Sequence, residues 1–256
     1  MKKHGIIAFL LVLCFAAAAF AALGPIKISD QKPTFVYVGP VGDGGYNFMH
    51  DQGRKMMEKL NPGIKSSIVE SVPEGPDAER VMETAVRNGS KVIFANSFGY
   101  MDHVINVAKK YPDVYFMHCS GYKVAPNVST YFGRMYQPRY LSGLVAGKAT
   151  KSNLIGYVAA YPIPEVIRGI NAFTLGVRKA NPNAKVKVVW IFSWHDPAKE
   201  KEATKALFDA KCDTIAMHAD TGGAPQAAEE LGMWVIGYNK PMDKYAPTRH
   251  PVTPIW

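Results

Sequence analysis

The chain has 256 residues, of which 48% are hydrophobic and 20% are charged, and its formal net charge is +9. This is the composition of a globular protein with one large or two small domains, and it excludes a disordered or low-complexity chain. The cations are scattered singly, without long runs and without interleaved aromatic residues. The sequence therefore indicates a generally cationic surface and no nucleic-acid partner.

The first residues have the pattern of an export signal. Lys2 and Lys3 precede an apolar run over residues 5–18, and residues 19–21 read Ala-Phe-Ala. A positive start, a short apolar run and a small-x-small triplet are typical of a secretory signal peptide. The run is also short for a membrane span. We therefore expect residues 1–21 to be removed and the mature protein to work in the periplasm or at the cell surface.

The three cysteines bear on anchoring and redox state. Lipid anchoring on Cys14 is not expected, because leucine precedes it where a lipidation signal has a small residue. Cys119 and Cys212 lie far apart in sequence, each at the edge of an apolar run. An extracytoplasmic compartment permits a disulfide between them. The pattern nevertheless favours two buried thiols that behave as small hydrophobic residues.

After the signal, strand and helix patterns alternate. A β-branched and aromatic run at 34–38 ends at Gly39 and Pro40, and a segment with helical spacing follows. The same alternation predicts strands at 67–69, 91–95, 114–117 and 128–132, and helices at 47–60, from 76 to a cap at 88–89, and at 101–110. This rhythm predicts a parallel sheet with helices on both faces.

The rhythm restarts after residues 133–138. The predicted helices of this second run are 139–149, 165–180, 198–210 and 224–231, and its predicted strands are 154–158, 186–191, 214–217 and 234–237. We therefore predict an α/β fold of two doubly wound parallel-sheet lobes. The N-terminal lobe covers residues 33–134 and the C-terminal lobe covers 135–256, with a ligand cleft between them.

Ligands of such sheets bind outside the carboxyl ends of the strands, so the segments after the strands supply the candidate site. After the first strand come Asp43, Tyr46 and Asn47 in a glycine-rich segment. This segment is either a tight turn at a helix start or an aromatic face with a side-chain amide that suits the edge of adenine. After the third strand come Phe98, Tyr100 and Asp102, which are either core and cap residues or aromatics beside a hydrogen-bond acceptor.

In the second lobe the candidates are Trp194 and Asp220. Trp194 follows a strand and either packs between the lobes or stacks on a flat ligand. Asp220 and its neighbour Thr221 follow the next strand, and either residue caps the following helix or binds ligand. Both alternatives stay open from the sequence.

Other chemistries lack their motifs. The segment at 39–47 matches neither a dinucleotide-binding nor a phosphate-binding loop. His118 and Cys119 are adjacent on a strand and point to opposite faces, which does not suit a catalytic dyad. His195, His218 and Asp220 lack metal-ligand spacing. No nucleophile motif of a hydrolase is present. We therefore predict a binding protein and not an enzyme, with no cofactor and no metal.

At these segments the chain resembles the basic membrane protein (BMP) family, the purine-receptor-like substrate-binding proteins of ABC importers. The residues that carry the resemblance are Asp43-Gly44-Gly45-Tyr46-Asn47 with Gly53, Ser97-Phe98-Gly99-Tyr100-Met101-Asp102, Ser193-Trp194-His195-Asp196-Pro197-Ala198-Lys199, Gly133-Arg134 with Gly143, and Gly169-Ile170-Asn171-Ala172-Phe173. The resemblance implies a type I periplasmic-binding-protein fold and a purine base or nucleoside held between the lobes. It also implies that Asn47 and Asp102 bind the base while Trp194 and Tyr46 or Phe98 stack on it.

Two departures from the family pattern shape the expected ligand and chain length. Asn239 stands where nucleoside binders of the family place an aspartate for the ribose hydroxyls, which favours a free adenine-like base. The family also continues beyond residue 256 with a segment that returns to the first lobe, so the chain resembles a C-terminally truncated copy. We expect a monomer that delivers its ligand to an ABC permease. The alternatives are a binder of another small solute, such as a sugar or a signal molecule, and an exported hydrolase.

Overall fold

The computed structural model describes residues 25–249. The predicted signal peptide, Cys14 and residues 250–256 lie outside this range. The chain forms two compact units. Unit 1 comprises the chain up to Val38 together with Arg54–Tyr131, and unit 2 comprises Gly39–Gly53 together with the chain from Phe132 onward. The predicted lobe boundary between residues 134 and 135 stays a prediction.

Unit 1 is built on a five-stranded parallel sheet in the order β2-β1-β3-β4-β5. Its strands are β1 (Thr34–Val36), β2 (Ser67–Val69), β3 (Val92–Ala95), β4 (Tyr115–Cys119) and β5 (Val128–Tyr131). Its helices are α2 (Pro76–Arg87) and α3 (Met101–Lys110), with a 3₁₀ turn at Phe98–Tyr100. Helix α1 (Tyr46–Leu60) starts in unit 2 and ends in unit 1. The apolar faces of α2 and α3 pack on the sheet, where Met82, Val104 and Phe116 share one buried cluster.

Unit 2 is built on a four-stranded parallel sheet in the order β7-β6-β8-β9. Its strands are β6 (Leu154–Ala159), β7 (Lys185–Trp190), β8 (Thr214–His218) and β9 (Trp234–Ile236), and its helices are α4 (Tyr136–Ala149), α5 (Pro164–Ala180), α6 (Pro197–Asp209) and α7 (Gly223–Glu230). One buried cluster joins the sheet to α6 and α7, and a second joins it to α4 and α5. The sheet is therefore covered on both faces, as parallel sheets require.

Helices α4 and α5 are held unusually close by glycine. A Cβ on Gly143 would lie 2.1 Å from the Phe173 carbonyl oxygen, and one on Gly176 would lie 2.1 Å from that of Tyr140. Only hydrogen fits at these positions, so the two helix backbones touch.

The predicted α/β architecture is confirmed, including all nine strands and their parallel arrangement. Cys119 and Cys212 are buried thiols that form no disulfide, as expected. Helix α4 begins at Tyr136, three residues before the predicted start, because Pro138 falls in the first turn, where a missing N–H costs nothing. Within residues 25–249, no helix combines the length and apolarity that a membrane crossing needs.

Candidate functional site

The glycine-rich segment at the start of unit 2 is organised by the Asp43 carboxylate. Its two oxygens accept hydrogen bonds from the backbone N–H groups of Gly45 (2.8 Å), Asn47 (2.8 Å) and Phe48 (3.0 Å). They also accept one from the Asn47 side-chain nitrogen (2.8 Å). Asp43 is buried and satisfies N–H groups that the first turn of a helix leaves unpaired. Asp43 therefore acts as the cap of α1.

The aromatic and amide candidates of this segment lie on the first turns of α1. The Tyr46 ring packs edge-on against the His50 ring, with 4.5 Å between their centroids. Burial lowers the pKa of His50 to about 4, so this ring is neutral at pH 7. Asn47 is fully buried behind the Asp43 cap.

The same segment touches the carboxyl end of β8 through Gly45. A Cβ on Gly45 would lie 2.3 Å from the backbone oxygen of Asp220, which is closer than any side chain allows. Gly44 precedes it with a φ of 79°, a conformation that glycine adopts without strain. The two glycines therefore let the segment lie directly on the loop after β8.

The start of helix α7 is capped by Thr221 of that loop and by Glu200 of α6, and not by Asp220. The Thr221 hydroxyl accepts a hydrogen bond from the Gly223 N–H (2.9 Å), and the Glu200 carboxyl accepts from the Thr221 and Ala224 N–H groups (3.2 and 3.4 Å). Burial and then the Asp43 charge raise the pKa of Asp220 well above its usual range. This shift favours the neutral form of the Asp220 carboxyl, which offers a hydrogen-bond donor as well as acceptors.

Asn239 follows β9, the neighbouring strand of β8. Its side chain is fully buried, and neither its amide nitrogen nor its amide oxygen has a hydrogen-bond partner among the described residues. The amide lies near Asp220 without forming a well-aligned hydrogen bond to it. Its backbone has a φ of 64°, which asparagine tolerates better than most residues. A buried amide without partners is costly, so this side chain calls for an explanation.

Aromatic side chains occupy the carboxyl ends of β6 and β7 on the same edge. The Trp194 ring packs against the Tyr161 ring, with 4.9 Å between centroids, and Tyr161 also approaches Phe192 at 6.3 Å. Phe192 is 60% exposed with a φ of 50°, a strained conformation for a bulky residue. The Trp194 backbone oxygen accepts from the Asp220 N–H at 3.0 Å. The aromatic cluster and the Asp220–Asn239 pair therefore belong to one continuous edge.

The candidates in unit 1 lie in different environments from one another. Tyr100 is fully buried, and its hydroxyl donates to the Val72 carbonyl oxygen at 2.6 Å, so it is a core residue. Asp102 is exposed in the first turn of α3 and pairs with Lys123, whose hydrogen bond lowers the pKa of the Asp102 carboxyl. Phe98 is half-buried, 6.4 Å from the Tyr122 ring.

A protein-family model described as "ABC transporter substrate-binding protein PnrA-like" (Bmp) matches residues 31–256. The chain belongs to this family. Among curated relatives, a purine-binding protein of Brucella abortus (strain 2308) is 46% identical over 92% of the chain and 68% of the relative. A Haloferax volcanii protein that is named as a glucose-binding protein of an ABC transporter is 42% identical over 91% of the chain. The chain spans 59% of the length of this second relative.

The fold agrees with solved structures of substrate-binding proteins. A solute-binding protein of an ABC transporter system from Aeropyrum pernix K1 superposes with a TM-score of 0.76 at 20% identity. The match covers 86% of this chain and 66% of that one. The periplasmic-binding-protein fold expected from the resemblance is therefore confirmed.

In this Bmp-family chain, the predicted site residues divide between the two units. Unit 2 contains Asp43, Tyr46, Asn47, Trp194, Asp220 and Asn239, and unit 1 contains Phe98, Tyr100 and Asp102. The sequence did not single out Tyr161 and Phe192, although Phe192 directly precedes Ser193-Trp194 at a predicted strand end. It also missed Arg139, which is 1% exposed on the buried face of α4. A signal for Arg139 exists, because Gly143 and Ala146 follow it at helical spacing and form a small-residue stripe.

Proposed function

We propose that the chain binds a purine base of the adenine type as the substrate-binding component of an ABC importer. The observation that carries this proposal is the buried Asn239 amide, which has no hydrogen-bond partner among the described residues, beside the buried Asp220 carboxyl, whose pKa is raised. An amide and a neutral carboxyl each offer a donor and an acceptor, and a purine edge presents the complementary groups. A bound base would supply the partners that the Asn239 amide lacks in the chain itself.

Stacking is the second element of the proposal. Trp194 offers a large ring at the same edge, with Tyr161 and Phe192 beside it. Stacking of a base on an aromatic ring contributes about 1–3 kcal/mol. Tyr46, Asn47, Phe98 and Asp102 stay predicted contributors. Asp43 and Tyr100 are left out, because their polar groups are engaged in a helix cap and in the core.

The similarity to a purine-binding protein at 46% identity supports the same ligand class. Isothermal titration calorimetry of the purified protein with adenine, guanine, adenosine, ribose and glucose tests the choice. We expect heat of binding with adenine, weaker binding with adenosine, and none with ribose or glucose. Adenine that produces no heat in a cooperatively folded sample would contradict the proposal.

Two variants assign the binding to this edge. Trp194→Ala is expected to weaken adenine binding about 5- to 150-fold, the equivalent of one stacking contact. Trp234→Ala is the matched control, because Trp234 starts β9 and lies at the amino end of that strand. Asn239→Gly keeps a residue that tolerates the positive φ and removes the amide. It should weaken adenine by a similar factor, since it removes hydrogen bonds to a buried group.

A sugar is the second candidate ligand, and the 42% identity to the Haloferax volcanii protein favours it. Aromatic rings such as Trp194 and Tyr161 also pack against the apolar faces of sugars. In the same titrations, binding of glucose without binding of any purine would select this alternative.

The partner and the location belong to the proposal as well. We infer an ABC permease as the partner, a role that follows from membership in a substrate-binding family. The residues proposed to direct export, 1–21, lie outside the described range. Cell fractionation of the expressing organism tests the location, and a cytoplasmic pool of full-length protein would contradict it.

A further inference from the structure

A second buried polar side chain without hydrogen-bond partners lies in unit 2. Arg139 is 1% exposed, and none of its three side-chain nitrogens has a hydrogen-bond partner among the described residues. Its guanidinium lies over the Tyr238 ring, 3.7 Å from the centroid, and 5.5 Å from that of Tyr157. These ring faces offset part of the charge, but they accept no conventional hydrogen bond. A buried guanidinium left in this state is strongly destabilising.

The guanidinium lines a small cavity of about 10 Å³. The charged and titratable side chains that line it are Arg139, Arg168, Glu165 and His218. Burial lowers the pKa of His218, and its Nε2 atom lies 3.4 Å from a Glu165 oxygen. With a neutral His218, the buried Arg139 and the exposed Arg168 stand against one glutamate, which leaves a formal excess of one positive charge around the cavity.

The starts of two helices add partial positive charge around the cavity. Its lining includes Tyr136 at the start of α4, and Glu165 and Gly169 near the start of α5. Neither helix has a side-chain cap, because the residues at the cap positions are Met135 and Ile163. The N-terminus of a helix carries a partial positive charge and unpaired N–H groups, which attract anions. Two uncapped helix starts therefore meet a buried unpaired cation.

We propose that this cavity binds one small monovalent inorganic anion, of the size class of chloride, held by the Arg139 guanidinium at the starts of α4 and α5. The charge excess calls for a single negative charge. The volume is close to that of one water, so sulfate, phosphate and carboxylates are too large. The site does not depend on the solute proposed above, and it stands or falls independently of purine binding.

Thermal unfolding in two salts tests the site. The melting temperature of the purified protein is measured over a series of sodium chloride concentrations, with sodium gluconate keeping the ionic strength constant. A ligand that binds only the folded state raises the melting temperature with its concentration. We expect a rise with chloride for the native protein, and the same rise for Arg178→Met. Arg178 is an exposed arginine in the last turn of α5, so this control removes the same charge elsewhere.

Arg139→Met is expected to lose the chloride-dependent rise, because it removes the cation and fills part of the space. A chloride response that persists in Arg139→Met would overturn the proposal, since the anion would then bind elsewhere. Equal melting curves of the native protein in chloride and gluconate would also overturn it, leaving water as the occupant of the cavity.

Bromide diffraction keeps the proposal testable if Arg139→Met fails to fold. Crystals of the native protein are soaked in bromide, and anomalous scattering locates the ion. An anomalous peak beside the Arg139 guanidinium supports the site. Bromide peaks confined to the surface would refute it.

Discussion

Gly45→Ala tests whether the glycine-rich segment and the loop after β8 form one rigid edge. The new Cβ would lie 2.3 Å from the Asp220 backbone oxygen and 2.9 Å from its carbonyl carbon. Ordinary contacts of carbon are about 3.5 Å or longer, so the two backbones must separate by about 1 Å. Neither partner is a flexible side-chain end. Overpacking of this kind costs about 1–3 kcal/mol.

Thermal unfolding followed by circular dichroism measures this cost. At about 2–4 °C per kcal/mol for a chain of this size, Gly45→Ala is expected to lower the melting temperature by about 2–12 °C. Gly42→Ala is the matched control in the same segment, because a Cβ at Gly42 meets nothing within 4 Å and its backbone is not left-handed. This control should stay within about 0.5 kcal/mol of the native protein.

The same two variants also test whether the glycine-rich segment supports the proposed adenine site. If the edge is rigid, adenine affinity in Gly45→Ala falls together with stability, while Gly42→Ala leaves both unchanged. A native melting temperature in Gly45→Ala would refute the contact. Equal losses in the two variants would show that the effect does not come from the close approach of Gly45 to Asp220.

Three further changes test other parts of the structure by thermal or denaturant unfolding. Gly53→Ala, on the exposed face of α1 with nothing near its Cβ, should stabilise the protein by about 0.5–1 kcal/mol, and a loss of stability would contradict the helix there. Asp43→Ala should cost about 2–4 kcal/mol, because it removes the α1 cap and leaves buried N–H groups unpaired. The control Asp77→Ala, at the exposed start of α2, should cost about 0.5 kcal/mol at most. Equal losses of stability in Asp43→Ala and Asp77→Ala would refute the role of Asp43 as the α1 cap. Burial raises the pKa of Glu200 from 4.5 to about 7, so the folded protein holds this proton more tightly than the unfolded chain does. The resulting stabilisation is fully present below about pH 4.5 and is lost as the pH rises through 7. The unfolding free energy should therefore fall by about 2–3 kcal/mol from pH 5 to pH 8 on account of this group, and an unchanged fall in Glu200→Gln would contradict the assignment.

The fold was predictable because its signals are local. The predicted helix at 101–110 is matched by α3 at both ends, since Tyr111-Pro112 stops it and a strand-end segment precedes it. Strand ends were less certain, and β4 runs two residues beyond its prediction to include His118 and Cys119. The predicted strand ended at residue 117, but His118 is buried with its Nε2 atom 2.7 Å from the Ser97 carbonyl oxygen. A tertiary hydrogen bond therefore extends the strand.

The site was predictable only in its location. The carboxyl ends of parallel strands mark the edge, and Trp194 and Asp220 follow from that rule alone. Which residue caps and which is left for a ligand depends on contacts across the fold. Asp43 and Asp220 follow strands in the same way, yet Asp43 accepts four hydrogen bonds at a helix start while Asp220 is buried beside it and raised in pKa. Burial and then the Asp43 charge raise the pKa of Asp220, so two aspartates at similar positions become a helix cap in one case and a buried carboxyl beside Asn239 in the other.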